Sequence, residues 1–493
     1  MRRASCWSWL ALLLLTRLCC AAEFHVVPVG SPLGNGSPER PWDLATALAG
    51  PKEVRPGDTI WIHAGTYRGG YLSKLSGTRD QPITVRGEKG SRVTIDTNPR
   101  NAQDNGLLML QGADVIYRDF EVTCSHPLRE TNIAGPWPEN IRRGAVEVRG
   151  DRLATVNIVA HDLLGGFGFW SEGEGGEVSG CIIYNNGWLG PDRDHGHAIY
   201  AQNARGTKRI ANNILFHQFA YGIHAYGSEK ASLKGFEITG NVAFENGCFR
   251  KDRDNTPGIF VGGGSPVERL KVCDNVVVSG GIRLGYPWGA INEDVVCTGN
   301  YCDQGLVLRD FHKATIMKNS IAAASNMVMI EGEGKALLSG HCWDENEYFI
   351  SDGRWGELCL LEGKKGRGLT YHQWRNETGF DARSTFTKGL PSKQRIIVQA
   401  NAYEAGRANI AVLNPAAWAN VEVDLSQVLS KGQKYRIVSV KDFYGAAIVS
   451  GVYDCCPVRV PMQPVPNPQP IGLAHLEIPV CEPHFAAFVV LPE

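Results

Sequence analysis

The sequence has almost no excess of either charge. Lys and Arg number 50 against 51 Asp and Glu. Without the first 22 residues, which carry Arg2, Arg3 and Arg17 and no acid, 47 basic side chains face 51 acidic ones. A chain this close to neutral lacks the basic footprint that nucleic acid requires, so no nucleic-acid partner is expected. No Cys-x-x-Cys pair occurs, which argues against a zinc site of that kind. Gly reaches 57 without a G-x-y period, which excludes collagen. Past the N-terminus, no run is apolar enough to cross a bilayer. Charged residues are only 20% and hydrophobic residues 43%, the balance of a globular chain rather than a disordered one.

What is present begins with a leader. Arg2 and Arg3 form a charged start, Trp7 to Leu15 an apolar core, and Cys20-Ala21-Ala22 a small-residue end. This reads as a signal peptide over 1–22, cleaved after Ala22, so the mature chain is expected to be secreted, extracellular or periplasmic, with no membrane span. Of 14 Cys, 11 remain after cleavage. They are scattered singly beside apolar residues, as in Cys181-Ile182-Ile183, and read as buried thiols. A length of 493 residues suits one long repeat domain plus a smaller one.

Short segments of one form recur through the middle. Their first apolar positions are Val146, Phe169, Ile199, Ile223, Ile259, Ile282 and Leu306, spaced by 23, 30, 24, 36, 23 and 24 residues. Each is followed by a second strand-like piece with a polar turn, such as Ile210-Ala211-Asn212-Asn213-Ile214 and Ile238-Thr239-Gly240-Asn241-Val242. Asn and Gly there suit a left-handed backbone position. Successive Asn are placed to hydrogen-bond from coil to coil. Repeats of two or three short strands, with no helix pattern, bury their apolar face only by stacking. The spacing predicts a parallel β-helix; it is too short for a four-stranded propeller blade.

The N-terminal third carries Gly36-Ser37, Arg40-Pro41-Trp42, Pro56-Gly57-Asp58-Thr59-Ile60-Trp61-Ile62, Gly65-Thr66-Tyr67-Arg68 and Pro82-Ile83-Thr84-Val85-Arg86-Gly87 in order. With the repeats, this resembles the right-handed parallel β-helix, or pectin-lyase-like, superfamily, and in particular secreted polysaccharide lyases of the chondroitinase B and alginate lyase kind. The resemblance spans roughly residues 24–385. It implies an all-β fold and a polysaccharide partner. The Lys/Arg catalytic motif and the acidic calcium cluster of those lyases have no clear match here. Calcium therefore stays a candidate cofactor only, and the metal set stays unknown.

Asp43 to Ala49 is predicted to be a short helix capping the open coil. Domains are expected at 23–388 for the β-helix with its cap and at 389–493 for a β-sandwich, with Gly389-Leu390-Pro391-Ser392 as linker. The sandwich is expected to cover the coil's C-terminal edge or to bind carbohydrate. A monomer is expected.

Alternation sends Val146, Ile199, Ile223, Ile259, Ile282 and Leu306 inward. The outward column is then Glu147, Trp170, Tyr200, His224, Phe260 and Arg283, and the next is Arg149, Glu172, Gln202, Tyr226 and Arg309. Aromatic rings, His, Arg and acids replace the Ser, Thr and Lys of a plain solvent face. The densest cluster is Asp192-Arg193-Asp194-His195-Gly196-His197, with Tyr200, His217, Tyr221 and His224. His195, His197 and Asp194 are metal-ligand types at an unspecific spacing.

For β-elimination a base takes the proton alpha to a uronate carboxyl, a cation neutralises that carboxylate, and an acid protonates the leaving oxygen. His224 or His197 is the candidate base, Tyr200 the acid and Arg283 the neutraliser. The expected substrate-binding set is Glu147, Trp170, Glu172, Asp194, His195, Gln202, Tyr226, Phe260, Tyr286 and Arg309. The sequence therefore points to degradation of an extracellular polysaccharide, with a lyase preferred. A glycoside hydrolase using Glu147, Glu172 or Asp194 is the alternative, and needs two carboxyls about 5–9.5 Å apart. A non-catalytic glycan-binding surface protein is the third reading.

Overall fold

The computed structural model describes residues 21–249, 256–287, 289–332, 338–351, 356–362, 365–473 and 476–493. Most of the expected signal peptide and most of the loop from Phe249 to Thr256 lie outside them. Among the described residues no helix is long and apolar enough to cross a membrane.

Three sheets of 12 strands each run the length of the coil. The first opens with Glu23–Val26, the second with Tyr71–Ser73 and the third with Gly65–Arg68. One coil visits each sheet once, as in Val146–Val148, Ala154–Val156 and Val159–His161. Stacked strands pair parallel and in register, Val146 beside Phe167, then Ile199, then Ile223. Such crossovers close right-handed, so the architecture is a right-handed parallel β-helix.

Alternate side chains fill the lumen, where Val146, Ile199, Ile223, Ile259, Ile282 and Leu306 are fully buried. The turn between the first and third sheets repeats one left-handed residue per coil: Asn157, Gly180, Asn212, Gly240, Asp274 and Gly299. The Asn that follows it forms a ladder. Asn213 Nδ2 donates to Asn241 Oδ1 at 2.9 Å, Asn241 to Asn275 at 3.0 Å and Asn275 to Asn300 at 2.9 Å. Each Asn also donates to a backbone carbonyl a coil away, so buried polar groups are satisfied along the whole edge.

Both ends of the coil are closed. The helix Leu44–Leu48 is capped by Asp43, whose carboxylate accepts from the Thr46 N–H at 2.9 Å. The other end is covered by the antiparallel hairpin Leu358–Glu362/Lys365–Leu369 and the helix Tyr371–Thr378, which buries Trp374. Capping of that end is therefore local.

The C-terminal region is a small sandwich of a five-stranded antiparallel sheet and a two-stranded one. It lies along the third sheet, not over the coil's edge. The physical reason is in its central strands, ANIAVL (Ala408–Leu413) and FAAFVVLP (Phe485–Pro492), which are apolar at successive positions. Ile410, Val412, Phe488 and Val490 face the two-stranded sheet, while Ala411, Leu413, Phe485 and Val489 pack on Val159, Phe216 and Phe244 of the β-helix. A strand buried on both faces reads as a continuous run. The eleven cysteines of the described chain are free thiols; Cys124, Cys181, Cys248, Cys297 and Cys302 are buried as expected, whereas Cys342, Cys455 and Cys456 are exposed, so the expectation of buried thiols holds only in part.

Candidate active site

The second sheet carries an outward column, one residue per coil. Register places Glu147 beside Gly168, then Tyr200, His224, Phe260, Arg283 and Val307. Phe167, not Phe169, sits level with Val146, so Gly168 takes the place assigned to Trp170. Trp170 belongs to the neighbouring column, where Glu172 was expected. The absent side chain at Gly168 is used: a Cβ there would lie 2.4 Å from Trp170 Nε1 and 2.8 Å from Glu147 Oε1. The indole fills that gap and donates to Glu147 Oε2.

Glu147 is 3% exposed. Arg149 also binds it at 2.9 Å, reaches Glu172 at 2.6 Å, and lies 5.0 Å over the Trp170 ring. Burial pushes the Glu147 carboxyl above its ordinary range, against the pull of Arg149 and the indole. Beneath them the buried Lys208 donates to the Trp170 carbonyl, and burial pushes its ammonium down to about 7.

Two coils on, the histidines form a directed pair. The Tyr221 backbone N–H donates to His197 Nδ1 at 3.2 Å. A neutral His197 then carries its proton on Nε2 and donates to His224 Nδ1, 3.2 Å away. His224 in turn holds its proton on Nε2, a buried atom with no hydrogen-bond partner among the described residues. The ring stands edge-on to Tyr200 (5.6 Å) and Tyr221 (5.0 Å) and stacks on Phe260 (5.3 Å). Burial, with Arg193 nearby, pushes its pKa down to about 3, so it is a neutral donor at ordinary pH. The Tyr200 phenol is raised by burial and hydrogen-bonded by Gln202.

An outer wall faces this column. One part is the loop 128–142, closed at its neck by Arg142 N–H to the Leu128 carbonyl at 3.0 Å. The other is the hairpin Trp188–Leu189/Asp194–His195. In it Trp188 stacks on His195 at 4.3 Å, and His195 Nε2 meets Asp192 at 3.1 Å. The cleft between wall and column encloses about 670 Å³, ample for several sugar rings.

Glu147, Trp170, His195, His197, Tyr200, His224, Tyr226, Phe260 and Tyr286 line this one cleft. Gln202 supports it through Tyr200. Asp194 contributes backbone to the wall hairpin, paired with Leu189. Glu172, Arg283 and Arg309 are not among its described lining. Glu172 is held outside by Arg149, and Arg309 is paired with Glu331 at 2.8 Å. Arg283 stands one coil beyond Phe260, engaged in contacts of its own.

His217 leaves the cluster altogether. It takes a left-handed backbone (φ 53°) at the third sheet and is wholly buried against Phe216 and Phe244. The described lining adds Arg193, Tyr221, Trp188 and Trp137. Arg193 and Tyr221 stand in the polar cluster of the sequence, whereas Trp137 sits in a loop with no periodic signal. No group of three or more His, Cys, Asp or Glu among the described residues is placed to hold a metal.

No family model matches the chain, and no curated protein does. Solved structures resemble it at low identity. Pectate lyase Pel9A is 16% identical over 71% of this chain and 78% of that one, with a TM-score of 0.41. A GH136 lacto-N-biosidase from Eubacterium ramulus is 13% identical over 75% and 68%, with a TM-score of 0.43. A rhamnogalacturonan lyase is 14% identical over 74% and 87%, with a TM-score of 0.43. The likeness is one of architecture, and the three parallel sheets establish that architecture by themselves: this is a parallel β-helix chain with a C-terminal antiparallel sandwich.

Proposed function

We propose that the chain is a secreted carbohydrate-active enzyme that cleaves an acidic polysaccharide by β-elimination in this cleft. One observation carries the reading. Arg193, the donor-ended histidine pair and the Tyr200 phenol line one cleft, in which the only carboxylate among the described lining side chains is Glu147. That carboxylate is already bound by Trp170 and Arg149.

The chemistry follows from those groups. Tyr226, Phe260, Tyr286 and Trp137 offer apolar faces on which sugar rings stack. A uronate carboxylate is met by the Arg193 guanidinium and, once the rings around His224 part on binding, by the His224 Nε2–H, a buried donor for which it supplies the missing acceptor. Both stabilise the charge that builds on the carboxylate as the proton alpha to it leaves. The tautomers make the histidine pair a donor, so the proton acceptor assigned here is Tyr200. Burial raises the phenol and the field of Arg193 offsets that only in part, so it is through a minor phenolate fraction that Tyr200 takes the C5 proton. The C4–O4 bond then breaks, C4=C5 forms, and the phenol returns the proton to O4. Arg193 thus takes the neutralising role expected of Arg283.

The glycoside-hydrolase reading keeps one specific support. Glu147, buried and shifted toward its protonated form, suits a general acid. Turnover on a panel of acidic and neutral polysaccharides separates the two. Elimination yields new reducing ends together with ultraviolet absorbance from unsaturated uronate, and Tyr200→Phe abolishes both. Reducing ends without that absorbance, lost in Glu147→Gln, would replace the lyase with the hydrolase.

A further inference from the structure

Between the strands Val458–Pro461 and Phe485–Pro492 the sandwich sends out an excursion of the chain far longer than a hairpin needs. Its first half alternates Pro464, Pro466, Pro468 and Pro470. Fixed φ at every second residue keeps such a segment extended and lowers the entropy lost when it docks. Asn467 Nδ2 closes its neck on the carbonyls of Ile478 and Pro479 at 3.1 and 3.0 Å. The tip reaches back onto the β-helix, where Leu473 is buried.

The tip meets the base of the cleft wall. Ile471 N–H donates to Asp162 Oδ1 at 2.8 Å, and the Ile471 carbonyl accepts from Arg142 Nη2 at 2.9 Å. Asn185 Nδ2 donates to the Pro468 carbonyl at 2.8 Å. Gly472 packs so closely on Pro127 that a Cβ would lie 1.9 Å from its carbonyl oxygen, and its φ of 88° already favours glycine. Arg142 and Asp162 are both buried. Arg142 also binds the Asp162 carbonyl at 2.7 Å, and Asp162 holds Arg129 at 3.1 Å. Arg142 is the neck residue of loop 128–142. Next to Arg129, Thr131 N–H and the Arg129 carbonyl pair with Leu189 of the wall hairpin at 3.1 and 3.0 Å. Buried charges need every partner they have, so strap, neck and hairpin stand or loosen together.

We infer that segment 468–472 is a clasp by which the C-terminal sandwich fixes the cleft wall, with Arg142 as the positioning residue that links them. The inference rests on reading the cleft as the functional site. The sandwich then sets cleft shape without touching substrate, and substrate affinity depends on a domain packed on another sheet.

The test uses the full chain with two strap variants that leave the β-helix sequence intact. Gly472→Ala drives a Cβ into Pro127, and Ile471→Pro deletes the N–H that Asp162 accepts. Amide exchange over 126–141 is expected to accelerate about ten-fold in both, with Val242–Phe244 unchanged. KM on whichever polysaccharide the native protein cleaves should rise about ten-fold and kcat should fall as well, since the wall hairpin carries Arg193 beside the binding contacts. Unchanged exchange over the wall in both variants overturns the clasp, and so does a loosened wall with unchanged KM. Absence of turnover by the native protein would defeat the enzymatic reading, while the exchange result would still decide the clasp.

Discussion

Among the described residues two aromatic columns run up the coil, one lining a cleft and the other covered by the sandwich. On the third sheet His161, Tyr184, Phe216 and Phe244 stack nearly parallel at 4.7, 5.0 and 4.9 Å and end on Phe485 of the sandwich. On the second sheet Tyr200 and His224 share the coils of Phe216 and Phe244, and Phe260 stands one coil further, but there His224 meets Tyr200 and Tyr221 at steep angles in T-shaped contacts. The covered column satisfies His161, which meets Asp162 at 2.8 Å and Glu121 at 3.0 Å, while His217, packed on Phe216 and Phe244 away from any cleft, has neither ring nitrogen partnered among the described residues. The open column leaves His224 Nε2 without an acceptor among the described residues. Residue type therefore does not mark the site. Unspent hydrogen-bonding capacity beside an open cleft does.

The sharpest way to break this comparison is to remove one polar atom from the open column. Tyr200→Phe keeps the ring and its packing. It should lower kcat by about 10²–10⁴-fold, the range for a lost proton-transfer group, with the thermal midpoint nearly unchanged. Phe216→Ala in the covered column should do the reverse. Phe216 is fully buried, so the cavity should cost about 3–5 kcal/mol in denaturant unfolding while KM stays put. If Phe216→Ala damages catalysis more than stability, the division between the columns is wrong.

The two histidines should also give stability opposite dependences on pH. Burial opposes charge on His161, but the Asp162 and Glu121 carboxylates outweigh it and push the pKa up to about 9 from an ordinary 6.5. The folded state binds that proton more tightly than the unfolded state. Its contribution is complete below about pH 6.5 and is lost as pH rises through 9. His224 is pushed down to about 3, so its contribution is present above pH 6.5 and is lost as pH falls toward 3. Thermal midpoints across pH 4–9.5 should show both slopes. His161→Gln should flatten the alkaline one and His224→Gln should reduce the acid one, of which His217, also pushed down to about 3, supplies the rest; a variant that changes only the wrong limb contradicts the assignment.

The sequence made the coil legible because its signals are local and repeated. The recurring spacing near 24 residues, as from Ile199 to Ile223 and from Ile259 to Ile282, the left-handed Asn and Gly, the Asn ladder and the Asp43 cap all reappear in the structure. Register at Phe167 was not legible. Phe167 and Phe169 both point inward, and a slip of two residues preserves the facing of every side chain while moving Trp170 and Glu172 to new columns. The wall was not legible either. Loop 128–142 has no period, and its anchors Arg142 and Asp162 meet partners more than 300 residues away. The docking of the sandwich did leave a trace, in the unbroken apolar runs of Ala408–Leu413 and Phe485–Pro492.

The mildest substitution sharpens the comparison furthest from the chemistry. Trp137 is 50% exposed on the wall loop and lines the cleft, whereas Phe485, the last ring of the covered column, is 3% exposed. Half of the Trp137 surface stays in water and the rest joins none of the hydrophobic core clusters, so the ring contributes little to global folding. Laid against a sugar ring it gains area only in the complex. Trp137→Ala should therefore weaken oligosaccharide binding by about 1 kcal/mol, close to five-fold in Kd, and leave the thermal midpoint where it was. Isothermal titration with acidic and neutral oligosaccharides reads the first and calorimetric melting the second. Equal losses on both sugar classes are expected, since stacking ignores charge; a loss confined to acidic sugars would mean that Trp137 positions Arg193 instead of meeting the sugar.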